Sequence, residues 1–153
     1  MADIVDKETR SRMMASIRSK DTKPELKVRS GLHCLGMRFR LHCSNLPGKP
    51  DLVFPKHRVV LFVHGCFWHR HSGCRFAYAP SQNAEKWARK FLANIERDRC
   101  QVELLQQNGW RVFVIWECAL KGRDVSPLLS SVVTELLSNN ANYQEWPRVA
   151  NAV

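Results

Sequence analysis

The stretch RVVLFVHGCFWHRHSGC, residues 58–74, decides the fold, because an apolar run passes directly into a loop rich in histidine, cysteine and aromatic residues. The run RVVLFV is short and rich in β-branched residues, which is typical of a strand buried on both faces. The remaining residues, 64–74, hold three histidines, two cysteines and two large aromatic residues. Such a loop can bind a metal, catalyse a reaction or stack against a ligand. The flanking sequence is needed to distinguish these functions.

Patterns on both sides of this strand predict an α/β fold in which helices flank a mixed β-sheet. Upstream, an N-cap threonine, a first-turn proline and a terminal glycine delimit a helix over about residues 22–36. Three short segments then predict an antiparallel meander: MRFRLHC (37–43), PDLVF (50–54) and RVVLFV (58–63). Downstream, the patterns indicate a long helix, a buried strand and a final helix, over about residues 83–109, 110–117 and 126–138.

The two ends of the chain differ from this core. Residues 1–20 are polar and basic with a short apolar stripe, which suits an arm that faces DNA better than a core helix. Residues 139–153 show no clear periodicity, and we expect them to form a loosely ordered tail. The sequence therefore predicts one domain over residues 21–138, without internal repeats.

The charge balance favours a polyanionic partner. The chain of 153 residues carries 24 Lys and Arg against 14 Asp and Glu, a formal net charge of +10. Nucleic acid or an anionic membrane surface would suit this charge. No segment approaches the ~20 apolar residues of a membrane span, and the N-terminus MADIVDKETRSRMM does not resemble a signal peptide. We therefore expect a cytoplasmic protein whose six cysteines are reduced and available as metal ligands.

Asp51 is the single carboxylate between residues 31 and 80, a stretch that also holds seven Lys and Arg. Pro-Asp is common turn chemistry, so a role in a turn is one interpretation. The other is a functional pair with His64, which lies at the far end of the next strand and can share one sheet edge with Asp51. Phosphodiester hydrolysis needs such a pair, an oxygen ligand for Mg²⁺ and a neighbouring donor or base.

Cysteine and histidine spacing predicts a zinc site. Cys66, His71 and Cys74 lie in one short loop, and Cys118 directly follows the buried strand predicted after the long helix. Three thiolates and one imidazole complete a closed tetrahedral site of the structural type. The alternative is that these cysteines are small buried hydrophobic residues.

The other conspicuous residues of this loop each have two interpretations. His64 and His69 are not needed as zinc ligands, so each is either catalytic or a hydrogen-bonded structural histidine. Phe67 and Trp68 either fill the core or wedge between base pairs and unstack them.

Five segments together resemble the very-short-patch-repair (Vsr) DNA mismatch endonucleases: DKETRSRMMASI, PGKPDLVF, HGCFWHRHSGC, NIERDR and GWRVFVIWECAL. The resemblance runs over about residues 2–124. It implies a restriction-endonuclease-like core with a structural zinc loop, and it makes residues 21–138 the endonuclease domain. It further implies an Mg²⁺-dependent enzyme that nicks one strand 5′ to the thymine of a T·G mismatch, the lesion left when 5-methylcytosine deaminates.

The resemblance also implies catalytic roles for individual residues. Asp51 corresponds to the metal-binding carboxylate, His69 to the water-activating base and His64 to a histidine near the scissile phosphate. Glu25 corresponds to the acid that orients water at the metal, and Asp98 is placed to orient a catalytic histidine.

The implied zinc ligands coincide with the four residues found from spacing. The implied DNA contacts comprise aromatic wedges, a mismatch-contacting pair and one residue of the arm: Phe67, Trp68 and Trp87; Lys90 and Asn94; and Met14. Trp87, Lys90, Asn94 and Asp98 are spaced three, four and four positions apart, so they share one face of the long helix.

The sequence departs from related nucleases in two places. Restriction nucleases carry a second acid and a lysine at the end of the hairpin strand, where this chain reads FVH (62–64). The main-chain carbonyl of Val63 is therefore expected to complete the Mg²⁺ site with Asp51. The loop HSGC (71–74) is one residue longer than in some family members.

Two other functions remain alternatives. A zinc-stabilised DNA-binding module without hydrolytic activity would use the same charge, zinc loop and aromatic wedge, whereas the set of Asp51, Glu25, His64 and His69 favours an enzyme. An RNA-processing nuclease is disfavoured by the resemblance alone. We expect a monomer that acts on double-stranded DNA, cooperates with the mismatch-repair protein MutL and is associated with the bacterial nucleoid.

Overall fold

A computed structural model describes residues 22–122, 124–138 and 140–148. Within these residues the helices are α1 (Lys23–Cys34), α2 (Ala84–Gln107) and α3 (Ser126–Leu137). The strands are β1 (Arg40–Leu41), β2 (Leu52–Phe54), β3 (Val59–His64), β4 (Arg111–Trp116) and β5 (Tyr143–Trp146). None of the described helices is long and apolar enough to cross a bilayer. The predicted arm over residues 1–20, including Met14, lies outside the described residues.

Helix α1 begins and ends where the sequence predicts. The Thr22 hydroxyl accepts a hydrogen bond from the backbone N–H of Glu25 at 3.4 Å, and Pro24 occupies the first turn. Beyond the helix, Gly36 adopts a φ of +82°, a left-handed conformation that glycine reaches without a Cβ clash. Val28 and Leu32 lie one turn apart and are fully buried, which fixes the face that α1 turns to the sheet.

The sheet follows chain order from β1 to β5, but its two halves differ in strand direction. β1, β2 and β3 are antiparallel, as the meander pattern predicts, although β1 has only two residues. A 3₁₀ turn over Pro55–His57 joins β2 to β3. β3, β4 and β5 are parallel, because α2 and α3 serve as the crossover connections between them.

Alternating side chains of the central strands fill two separate layers of core. On one face of the sheet, Leu61 and Phe113 pack with residues of α1 and α3. On the other face, Val60 and Val112 pack with Leu105 of α2. All six residues of β4 are buried, as a continuous apolar run predicts for a central parallel strand. The sheet is thus covered by helices on both faces.

Residues 143–146 correct the prediction of a loosely ordered tail. They form β5, which pairs with β4 in the register Ile115↔Trp146. Trp146 is 3% exposed, and its ring meets that of Phe113 edge-on at 5.4 Å. The segment YQEW gives no strand pattern because only its last side chain is fully buried. The expectation of a loose tail is therefore wrong for these residues.

Candidate active site and metal centre

The carboxyl end of β3 opens into a cavity of about 610 Å³, which we call the central cavity. Its walls come from α1, the turn before β2, the loop after β3 and α2. All five residues predicted to be catalytic line it: Glu25, Asp51, His64, His69 and Asp98. Ligands of α/β sheets commonly bind beyond the carboxyl ends of strands, and this chain places its acids and histidines there.

Asp51 directly precedes β2, and its carboxylate is held by β3. Its Oδ2 accepts a hydrogen bond from the Val63 N–H at 2.7 Å. Burial, reinforced by the negative charge of Glu25, raises the pKa of Asp51 to about 7 despite that hydrogen bond. Glu25 is only 3% exposed and pairs with Arg29 at 3.0 Å. Helix α1 therefore supplies the second carboxyl group that the end of β3 lacks.

The main-chain carbonyl of Val63 fits the predicted metal site. In a strand, the N–H and C=O of one residue project toward the same neighbouring strand, and the Val63 N–H points to Asp51. Extending the register from Leu52↔Leu61 places Pro50 opposite Val63, and proline has no N–H to donate to that carbonyl. A carboxylate and a main-chain carbonyl are hard oxygen ligands of the kind that divalent cations prefer.

The two histidines of the cavity stack face to face. The rings of His64 and His69 have centroids 3.9 Å apart and planes 5° apart. His69 Nδ1 lies 2.7 Å from Oδ2 of Asp98 on α2. When the Nδ1–H donates a hydrogen bond to this carboxylate, the Nε2 lone pair is left as the acceptor of the ring, as a general base requires. Burial lowers the pKa of His64 well below its usual value, so His64 is neutral near pH 7.

Cys66, His71, Cys74 and Cys118 form one group, which we call the Cys/His cluster. Three sulfur atoms and one ring nitrogen lie within 4.8 Å of one another. The His71 Nδ1 is 3.4 Å from the Cys118 Sγ and 3.7 Å from the Cys66 Sγ. Tetrahedral zinc with bonds of about 2.0 to 2.3 Å requires ligand atoms roughly 3.3 to 3.8 Å apart. Both the donor set and its spacing therefore fit zinc.

Trp116, the last residue of β4, joins the histidine pair to the Cys/His cluster. Its ring stacks on His71 at 4.3 Å and meets His64 edge-on at 5.3 Å. Its Nε1 donates a hydrogen bond to Glu145 of β5 at 3.3 Å, and the Tyr143 hydroxyl donates to the same carboxylate oxygen at 3.0 Å. Sequence reasoning missed these contacts, because β5 gives no strand signal of its own.

The predicted wedge residues Phe67, Trp68 and Trp87 belong to an aromatic cluster that Tyr78 and Phe91 complete. Phe67 lies at its centre, with the other four ring centroids 5.1 to 5.5 Å away. Phe91 is buried, but the three predicted wedges are only half-buried. They pack on one another and still present apolar surface beside the central cavity.

Polar side chains hold the aromatic cluster in place. The Asn94 amide donates to the Trp68 carbonyl at 3.0 Å, and the Lys90 Nζ lies 4.9 Å from the centre of the Trp68 ring. Lys90 and Asn94 thus share the predicted face of α2 with Asp98. A further contact comes from Arg70, which sequence reasoning missed; its guanidinium donates to three main-chain carbonyls of the loop, those of Phe67, Ala77 and Tyr78.

The mixed sheet, the acidic site at the end of its hairpin and the Cys/His cluster beside it define a restriction-endonuclease-like α/β protein, as the sequence predicts. The family model for the DNA mismatch endonuclease Vsr matches residues 2–75. The chain belongs to the Vsr family of DNA mismatch endonucleases, because a curated relative of that name is 43% identical to it over 95% of its length.

Three curated relatives of the chain are bacterial. The chain is 51% identical over 120 residues to the type II nicking enzyme V.XorIIP of Xanthomonas oryzae pv. oryzae, covering 78% of this chain and 88% of the relative. It is 43% identical over 146 residues to the DNA mismatch endonuclease Vsr of Escherichia coli, covering 95% and 88%. It is 42% identical over 125 residues to the type II nicking enzyme V.NmeAIP of Neisseria meningitidis, covering 82% and 89%. The protein is thus a DNA endonuclease of mismatch repair.

Proposed function

We propose that this endonuclease nicks one strand of duplex DNA on the 5′ side of the thymine in a T·G mismatch, with Mg²⁺ as its cofactor. One observation carries the proposal: Asp51 and the carbonyl side of Val63 face the same cavity as the His69–Asp98 pair. Such a cavity can hold a cation and a general base on either side of one phosphate. The relatives named as nicking enzymes support cleavage of a single strand.

In this proposal His69 removes a proton from the attacking water. Its Nε2 accepts the proton, while Asp98 holds the Nδ1–H and stabilises the resulting imidazolium. The water oxygen bonds to phosphorus as the P–O3′ bond breaks, and the leaving 3′-oxygen takes a proton from solvent water, which leaves 5′-phosphate and 3′-hydroxyl ends. Glu25 would orient water at the cation, and neutral His64 offers one N–H to the scissile phosphate.

Asp51 and Val63 hold the cation in this proposal. When bound there, Mg²⁺ supplies the positive charge that polarises the phosphate and stabilises the leaving 3′-oxygen. The strand end offers only one carboxylate, so phosphate oxygens and water would complete the coordination, as is usual for Mg²⁺ at phosphate sites.

We also propose that the Cys/His cluster binds one structural zinc ion. Three of its residues lie in the loop after β3, and Cys118 lies just after β4. A shared ion would therefore fasten this loop to the neighbouring strand and fix the position of His69, which lies between Cys66 and His71 in sequence.

The aromatic cluster is proposed to select the mismatch. Phe67, Trp68 and Trp87 would insert at the mismatched step, where unstacking costs least, while Lys90 and Asn94 contact the exposed bases. Met14 of the arm would contact the DNA from the other groove. The proposal includes a monomeric enzyme that cooperates with MutL.

A strand-nicking assay tests this function. End-labelled duplexes would carry T·G, other mismatches or fully paired bases at one position, with varied neighbours, and would be incubated with Mg²⁺. We expect one nick, 5′ to the thymine, in the T·G duplex and little cleavage of the paired duplex. Equal cleavage of both duplexes would contradict the mismatch specificity. Tight binding without any nick would favour a DNA-binding module, and preferred cleavage of a matched RNA duplex would favour an RNA-processing enzyme.

A further inference from the structure

Carboxyl groups outnumber lysine and arginine side chains in the lining of the central cavity. Four side chains with carboxyl groups line it: Glu25, Asp51, Asp98 and Glu117. A phosphodiester is itself anionic, and negative charge accumulates on its oxygens and on the leaving group during cleavage. One cation at Asp51 leaves the phosphate in a cavity that other carboxyl groups line, so a second positive group in the cavity would favour both binding and reaction.

Lys49 is the one lysine or arginine among the described residues that line this cavity. It lies two residues before Asp51, in the turn between β1 and β2. Within the described part of the chain it makes no ion pair, although acids line the same cavity. Its long, flexible stem ends in a compact ammonium group with three donors, which suits a phosphate.

The backbone at Lys49 is held in an unfavourable conformation. Its φ is +48°, and that of the preceding Gly48 is +75°. A left-handed conformation costs a non-glycine residue about 1 kcal/mol or more, and such residues cluster at functional sites. Two features hold the turn: the Lys49 N–H donates to the Leu46 carbonyl at 3.1 Å, and Gly48 fits closely against Gln101 and Phe62, where a Cβ would clash. The turn therefore has a fixed shape, and Lys49 on this turn lines the cavity.

We propose that Lys49 binds the scissile phosphate and stabilises the negative charge that develops on it during cleavage. This inference rests on the proposed Mg²⁺-dependent nicking at Asp51 and adds a catalytic residue that touches the substrate. The alternative role for a surface lysine is general attraction to the DNA backbone. The two roles differ in what is lost: a transition-state contact lowers the rate with DNA fully bound, whereas general attraction changes only affinity and its salt dependence.

The test compares Lys49→Met, Lys49→Arg and the control Lys56→Met. Methionine keeps an unbranched side chain and pays the same free-energy cost as lysine for the left-handed backbone conformation, but it carries no charge. Lys56 is also exposed and lies in the β2–β3 turn, outside the central cavity. The single-turnover nicking rate of a T·G duplex would be measured at saturating protein with Mg²⁺, and affinity for the same duplex with Ca²⁺ instead. Zinc content and thermal midpoint would be measured for each variant.

We expect Lys49→Met to nick about 10- to 100-fold more slowly at saturation, because one charge-assisted hydrogen bond to the phosphate is lost. Its affinity for the duplex should fall no more than that of Lys56→Met. Lys49→Arg should retain most of the rate. A parental rate for Lys49→Met at saturation would overturn the inference, whether or not affinity changes. If the Met variant fails to fold, Lys49→Gly, which accepts the left-handed conformation, replaces it with the same expected loss. Failure of the parental protein to nick would instead contradict the proposed function.

Discussion

The carboxyl group of Asp51 must lose its proton before it can bind a cation, and its surroundings oppose that loss. Burial and the nearby Glu25 raise its pKa to about 7, whereas the Val63 N–H acts in the opposite direction. A raised carboxyl pKa means that the folded protein binds the proton more tightly than the unfolded chain. In the metal-free protein, ionisation of Asp51 therefore lowers the free energy of unfolding by an amount that depends on pH.

The first prediction follows from the sign of this shift. Without Mg²⁺, the stability of the parental protein should fall relative to Asp51→Asn as the pH rises from about 4 to about 7, and the difference should then stay constant. At about pH 8 the variant should be more stable by about 1 to 3 kcal/mol, allowing for solvent screening. Chemical unfolding across this range, in Mg²⁺-free buffer that leaves zinc in place, measures the effect. The exposed Asp124→Asn serves as the control, and a difference independent of pH would show that Asp51 is not perturbed.

Trp68 is half-buried in the aromatic cluster, so its role as a wedge can be separated from packing. We expect Trp68→Ala to reduce the nicking of a T·G duplex by about 5- to 100-fold, because one aromatic–base stack is lost. Its zinc content and thermal midpoint should remain near parental values. Phe91→Ala, which removes a buried ring of the same cluster, should instead destabilise the protein by about 3 to 5 kcal/mol. Comparable destabilisation by both changes would make Trp68 a core residue.

At the scale of elements, the Cys/His cluster depends on two neighbouring parallel strands. β3 and β4 pair in the register His64↔Trp116, so the chain leaves both strands side by side. The loop after β3 then meets Cys118 just beyond β4. This arrangement could be predicted, because three ligands are close in sequence and the fourth follows a clearly buried strand. The hydrogen bond between Trp116 and Glu145 could not be predicted, because β5 lacks an apolar alternation and its pairing depends on tertiary contacts alone.

Zinc removal should act on the fold as well as on activity. We expect the purified protein to contain one zinc ion and Cys118→Ser to lose both the metal and its cooperative unfolding transition, because structural zinc contributes directly to folding. Cys100→Ser, an exposed cysteine on α2, should keep both. Metal analysis and circular dichroism provide the two readouts. Full zinc content and parental stability in Cys118→Ser would remove this residue from the site.

At the scale of the whole molecule, one cavity is lined by residues from α1, the turn before β2, β3, the following loop and α2. Spacing and composition alone pointed to Asp51, His64 and the four zinc-type ligands, because each lies at a predicted strand end or in a compact loop. The same reasoning left His69, like His64, as either a catalytic or a structural histidine. Glu25 and Asp98 needed the family resemblance, since a single acid on a helix has no distinctive local pattern. Lys49 and Glu117 emerged only from the fold, because their contribution depends on which surface the cavity exposes.

We expect DNA cleavage to require the cation held by Asp51 in the central cavity. DNA affinity should come mainly from positive charge elsewhere on a chain of net charge +10. Asp124→Ala, which removes an exposed acid outside the cavity, should behave as the parental protein. His69→Ala should lose about 10²- to 10⁴-fold in rate and retain a trace, because a general base contributes about that much. Asp51→Ala should lose more, because the cation site itself is removed.

The most direct measurement is Mg²⁺-dependent nicking of a T·G duplex by Asp51→Ala, together with its affinity for the same duplex. The predicted result is no detectable nicking by a folded, zinc-containing variant that still binds the duplex about as tightly as the parental protein. Nicking by Asp51→Ala at the parental rate would contradict the assignment of the active site to this cavity.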